Sequence, residues 1–87
     1  PGLNNPALRY PPMSRRLGEE GKVRLRVLVS PEGRVLQIQV LAGSGFSRLD
    51  AAARELVGRW RFLPATKGGA MVQAWVEIPI VFQLRSQ

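Results

Sequence analysis

Few residues in this 87-residue chain could do covalent chemistry. There is no histidine and no cysteine. That removes the commonest general base, the commonest metal ligand, the thiolate nucleophile and any disulfide. Glu19, Glu20 and Glu32 sit near predicted turns, where carboxylates are ordinary solvated groups. The run Gly43-Ser44-Gly45-Phe46-Ser47 could cradle a phosphate on backbone N–H groups ahead of a helix. It lacks the later glycine, and no lysine follows as in a P-loop, so it also reads as a turn ending in an N-cap. No catalytic, cofactor-binding or metal-binding residue is assigned, no cofactor is expected, and an enzyme is the least favoured class.

What remains is charge and backbone. The net charge is +7, and eleven of the thirteen cations are Arg. This points to an acidic partner: nucleic acid, anionic lipid or a carboxylate-rich protein surface. The cations are scattered rather than blocked, which equally fits a well-solvated surface. The backbone signal lies at the end of the chain. Residues 71–84 read as one long strand, with Val72, Ala74, Val76, Ile78, Ile80, Phe82 and Leu84 as its inward set. Pro79 interrupts it, although proline has no N–H to give to a ladder.

The elements that must position this strand follow from local patterns. Pro11-Pro12 opens a short helix, and Gly18 caps its end; Met13 and Leu17, four apart, are expected to face inward. Val23, Leu25, Val27 and Val29 alternate with Lys22, Arg24, Arg26 and Leu28. After the turn residues Pro31 and Gly33, Leu36, Ile38 and Val40 alternate with Gln37 and Gln39, which makes a hairpin. Ser47 is the expected N-cap of a second helix, with Asp50 in its first turn. Leu49, Ala52, Ala53, Leu56, Val57 and Trp60 form its apolar stripe. Pro64 ends that stretch, and the segment from Thr66 to Ala70 reads as a loop into the last strand.

The expected fold is α+β: a small three-stranded antiparallel sheet in the order second–first–third, with one long and one short helix on one face. Residues 1–9 are expected to be a flexible N-terminal segment and residues 10–87 one folded domain. No apolar run approaches the roughly 20 residues of a membrane span. With no starting Met and no secretory signal, the sequence is expected to be part of something longer.

In that order the last strand is an edge. If Ile78 and its even-numbered mates bond to the first strand, Gln73, Trp75, Glu77 and Pro79 turn their main chain outward. Pro79 then lacks a donor where no partner sits, and it blunts one end of the edge. The rest is open to an added strand, unless Glu77 and the N-terminal segment shield it. Trp75 is expected on the face away from the helices, partly exposed or packed beside the stems of Arg24 and Arg26.

These landmarks resemble the C-terminal domain of TonB-type energy transducers. They are Tyr10-Pro11, Gly18, Glu20-Gly21, Val23, Gly33-Arg34-Val35, Ser44-Gly45, Leu49-Asp50, Ala53, Trp60-Arg61-Phe62 with Pro64-Ala65, Gly69 and the ending from Pro79 to Leu84. The resemblance covers residues 10–84. Gly43 stands where the family often has a second serine, and Ser14 where it often has a small apolar residue. The resemblance implies a periplasmic domain, anchored by an inner-membrane helix and a Pro-rich stretch upstream of Pro1. That helix would join a proton-driven motor complex. The domain would grip the TonB box of outer-membrane transporters for siderophores, haem or cobalamin, with the box adding beside the last strand.

The expected partner-binding residues are Val72, Gln73, Ala74, Trp75, Val76, Glu77 and Ile78 on that strand. Leu8, Arg9, Tyr10 and Pro11 are expected to flank the same edge, although Tyr10 equally reads as a core anchor. Arg9, Arg15 and Arg16 are candidates for salt-sensitive contacts with an acidic transporter surface. Two other readings stay open. One is a nucleic-acid-binding module using Lys22, Arg24, Arg26 and Trp75, which the resemblance does not imply. The other is a homodimer that pairs the long edges of two copies.

Overall fold

The structure, a computed structural model, describes residues 5–85. Pro1 to Asn4 lie outside the described residues, and with them the first part of the expected flexible segment. The elements in chain order are α1 (Pro12–Leu17), β1 (Gly21–Val29), β2 (Val35–Ala42), α2 (Ser47–Gly58), β3 (Ala65–Lys67), β4 (Ala70–Val72) and β5 (Ala74–Phe82). The main sheet is three-stranded and antiparallel, in the order β2-β1-β5. That is the expected second–first–third arrangement.

β1 sits in the middle, paired with β2 on one side and β5 on the other, and its apolar residues alternate strictly. Val23, Leu25 and Val27 are fully buried, and Val29 nearly so. Lys22, Arg24 and Arg26 between them are exposed. The α2 stripe covers this row: Leu49, Ala53, Leu56 and Val57 are buried, and Ala52 and Trp60 pack at its rim. From β5, Ile78, Ile80 and Phe82 complete the core. Burying an aliphatic side chain contributes about 1.5–3 kcal/mol, so this shared cluster dominates the stability of so small a domain.

Several local expectations are corrected. In α1, Pro12 occupies the first turn and Gly18 caps the end in the left-handed region at φ 70°, as read. Met13 and Leu17 nevertheless point to solvent, and Ser14 is the residue that is fully buried. With only six residues, the helix is oriented by its ends rather than by its own apolar pair. Tyr10 just before it packs edge-on against Phe82, with ring centroids 5.4 Å apart.

In β2, the register with β1 shifts twice. Leu25 faces Val40 while Arg24 faces Ala42, and Leu28 faces Gln37 while Val29 faces Val35. Leu41 and Leu36 are the residues passed over. Each such bulge adds a residue and resets the alternation. Leu36 and Val40 are therefore exposed rather than inward, and Val35 and Ile38 are the β2 residues that lean on the core.

The α2 N-cap position belongs to Phe46, with no side-chain cap. Ser47 is already helical. Asp50 instead turns back to the preceding loop, where Oδ1 accepts from the Ser44 N–H and the Ser44 hydroxyl, both at 2.8 Å.

The last correction concerns the long terminal strand. Residues 71 and 72 belong to a separate two-stranded hairpin, β3–β4, and Gln73 breaks the chain before β5. Lys67 pairs with Ala70 across Gly68-Gly69, whose φ values of 59° and 83° suit a two-residue hairpin turn. The Gly-Gly pair was the sequence signal for it. Leu84 likewise lies beyond β5.

Candidate functional site

β5 pairs with β1 without a break, from Gly21–Phe82 to Val29–Ala74. In this register Arg24 faces Pro79. Directly opposed residues of an antiparallel ladder alternate between pairs that exchange two hydrogen bonds and pairs that exchange none. A proline cannot complete the first kind. Arg24–Pro79 thus belongs to the second, and so do Arg26–Glu77, Leu28–Trp75 and Lys22–Val81. The main-chain groups of Trp75, Glu77 and Val81, and the Pro79 carbonyl, then point away from β1. Among the described residues no strand of the sheet lies on that side.

The two faces of this flank differ. On the face away from the helices, Arg24 donates to one Glu77 carboxylate oxygen from Nε at 3.0 Å and from Nη2 at 2.8 Å. Arg26 lies over the Trp75 ring, 4.1 Å from guanidinium carbon to centroid. Trp75 is half-buried, consistent with packing beside an arginine. On the helix face, Phe62, Leu63, Val76, Glu77 and Ile78 line a shallow groove. Leu63 is 72% exposed and Val76 37%.

Phe62 and Leu63 are held there by the return of the chain from α2. The Phe62 N–H donates to the Gly33 carbonyl at 2.9 Å, and Arg61 bridges Arg34. A Cβ at Gly33 would lie 2.1 Å from the Phe62 carbonyl oxygen, and Gly33 has φ 86°. Only glycine permits so close a crossing.

The residues expected to bind a partner are not all brought together. Ala74, Trp75, Val76, Glu77 and Ile78 lie on the open strand. Val72 belongs to β4, and Gln73 to the break. Leu8, Arg9, Tyr10 and Pro11 run along α2, lining a groove with Ala51, Ala52, Glu55 and Arg59, rather than along the open edge of β5 beside Trp75 and Glu77. Two ties hold them there: the Trp60 indole donates to the Pro6 carbonyl at 3.1 Å, and Asn5 bonds both main-chain groups of Arg61.

Tyr10 is a core anchor, donating its hydroxyl to the Glu19 carbonyl beside Phe82. Burial raises its pKa above the ordinary 10.0; Glu20 and Glu19 push the same way, and Arg15 opposes them. Arg15 lies over the Tyr10 ring at 5.7 Å, and Arg16 is exposed. Phe62 is a landmark of the resemblance but has no expected part in the edge, and the sequence does not single out Leu63 at all. Leu63 falls after the helical stripe and outside any strand, so no period assigns it a face.

Among the described residues no three His, Cys, Asp or Glu side chains are placed to hold a metal ion. No described helix is long and apolar enough to cross a membrane. Residues 6–84 match the family model described as Gram-negative bacterial TonB protein C-terminal.

The chain belongs to the TonB C-terminal family.

It is 46% identical to protein tonB2 of Pseudomonas aeruginosa over 82 residues, 94% of this chain and 30% of that protein. It is 43% identical to protein TonB of Neisseria gonorrhoeae over 77 residues, 86% of this chain and 24% of that protein. The chain thus spans less than a third of these curated relatives. Among solved structures, the solution structure of the Pseudomonas aeruginosa TonB C-terminal domain superposes with a TM-score of 0.78 at 31% identity. That match covers 100% of this chain and 88% of the other. A Helicobacter pylori TonB C-terminal domain superposes with a TM-score of 0.72 at 26% identity, covering 92% and 72%. The TonB family match reaches four residues further toward the N-terminus than the landmarks that begin at Tyr10.

Proposed function

We propose that this TonB C-terminal domain grips the TonB box of outer-membrane transporters by strand addition to the open flank of β5. It then transmits energy from an inner-membrane, proton-driven motor for the uptake of siderophores, haem or cobalamin. On this reading the domain works in the periplasm, tethered through sequence upstream of Pro1, and no catalytic step is needed. The observation that carries it is the side of β5 that no strand covers among the described residues, where proline-enforced alternation turns the main chain of Trp75 and Glu77 outward. Membership of the TonB family supports the class of partner.

The energetics suit a reversible coupling. Each main-chain bond contributes only about 0.5–1.5 kcal/mol net. The few that this flank offers give modest affinity after association costs. A pull along the strand loads them together, whereas peeling from one end breaks them singly. Arg9, Arg15 and Arg16 add salt-sensitive attraction to an acidic transporter surface.

The test is Trp75→Pro, with binding of a synthetic TonB-box peptide measured by calorimetry. The Trp75 N–H lies outside the β1 ladder, so circular dichroism stays close to that of the parent. Peptide binding is expected to disappear. Retained binding with an intact fold would remove strand addition at this flank.

A further inference from the structure

The groove beside β5 suggests what an added strand must carry. Val76 and Ile78 direct their side chains to the helix face, and Glu77 to the other. All three nevertheless line one groove with Phe62 and Leu63. Consecutive strand residues share a groove only where it runs along the strand's flank, touching the Glu77 main chain between the two neighbours. This is the flank left open by β1. Along it, Ile78 is buried and Ala74 half-buried, and Val76 between them is the inward-facing residue of β5 left exposed. Leu63 stands beside it, largely exposed. Pro64 follows and the Phe62–Gly33 bond precedes, so Leu63 is held in place by the crossover and is not part of a free loop.

We propose that this groove is a side-chain subsite that accepts one aliphatic residue of the docked strand, and that Leu63 is its specificity-determining residue. The inference rests on the strand-addition reading above. A strand added to β5 lies roughly 5 Å away, with alternate side chains on the helix face. One of them falls beside Val76, between the sheet and Leu63. Of the residues that line the subsite Glu77 alone is charged, and its carboxylate is engaged by Arg24 on the other face, so an aliphatic side chain gains there what a serine or a charged residue cannot. Main-chain pairing alone is indifferent to sequence, so this groove supplies discrimination that the ladder lacks.

The experiment uses the isotopically labelled 87-residue chain, unmodified and as Leu63→Ser. Each is titrated with a TonB-box peptide and with variants in which every aliphatic residue in turn becomes serine. Because Leu63 is 72% exposed, its replacement leaves the fold intact, which amide spectra verify. The parent domain is expected to lose about tenfold in affinity at one peptide position. The Leu63→Ser domain is expected to lose that discrimination, binding the matching pair of peptides nearly equally.

If discrimination persists in Leu63→Ser while the amides of Trp75 and Glu77 still shift on binding, the subsite assignment is overturned and strand addition stands. If those amides do not respond to any peptide, strand addition itself fails, and the subsite with it.

Discussion

The Arg26 guanidinium lies over the Trp75 ring at 4.1 Å, one diagonal step along the β1–β5 ladder from the pair that register makes directly opposite. Arg24 leans the same way onto Glu77. The ring and carboxylate at the open flank are therefore both engaged within the sheet, which leaves the main chain of Trp75 and Glu77 as the free groups. A guanidinium–aromatic contact at an exposed site contributes about 0.5–1 kcal/mol. Arg26→Ala should lower the unfolding free energy by that amount in urea titration and shift indole emission. Binding of a TonB-box peptide should stay within a few-fold, because in the proposed strand addition the backbone and not the ring does the docking. A collapse of peptide binding in Arg26→Ala would assign the contact to the ring face instead.

Two glycines test the crossover that positions Leu63. Gly33 and Gly45 both have positive φ, 86° and 96°. A Cβ at Gly33 meets the Phe62 carbonyl, whereas one at Gly45 meets nothing within 4 Å. Gly45→Ala should cost about 1–2 kcal/mol from backbone conformation alone. Gly33→Ala should cost clearly more, because the Phe62–Gly33 crossing must open, and it should weaken peptide binding as well. Urea midpoints of the two variants decide this, and equal losses would mean that the crossing is not rigid.

Two buried serines should respond with opposite sign. The Ser14 hydroxyl is fully buried, with no hydrogen-bond partner among the described residues. The Ser30 hydroxyl accepts the N–H groups of Glu32 and Arg34 at 3.2 and 3.1 Å, which shapes the β1–β2 turn. Removing a buried hydroxyl that has no partner relieves a desolvation penalty, and removing one that closes a turn leaves donors stranded. Ser14→Ala should stabilise the fold by about 1 kcal/mol, and Ser30→Ala should destabilise it by a similar amount. Thermal and urea unfolding read both.

Tyr10 predicts an alkaline weakness. Its phenol has a raised pKa in the folded chain, chiefly through burial. The unfolded chain releases this proton first, near the ordinary value of 10.0. Sign follows from linkage: with fewer protons on the unfolded state, stability falls as pH rises. The contribution is complete below pH 10 and is lost as pH climbs through the folded value. The chain has one tyrosine, so its titration can be read directly from tyrosinate absorbance. Tyr10→Phe should remove this part of the decline above pH 10, and an unchanged slope would show that other groups cause it.

Much of this domain is local, and local patterns are legible in the sequence. The strict alternation of Val23, Leu25, Val27 and Val29 marks β1 as a strand with one buried face, because side chains on a strand change face at every residue. The stripe from Leu49 to Trp60 fixes the covered face of α2 for the same kind of reason. Pro79 alone indicates which side of the last strand goes unpaired, since a missing N–H is tolerated only there. The sheet order, and with it the open edge, follows from the hairpin that joins β1 to β2 and the right-handed crossover through α2.

What the sequence did not decide depends on residues far apart in the chain. The bulges at Leu36 and Leu41 arise from the fit of β2 against β1, and they undo an alternation that looks regular when β2 is read alone. Asp50 forsakes its own helix end because the Gly43-Ser44 loop comes within its reach. Leu63 gains a role only because Gly33 lets the returning backbone cross closely enough to set it beside Val76. Periodicity reports which face a segment offers; which distant surface meets that face is settled only when the chain closes on itself.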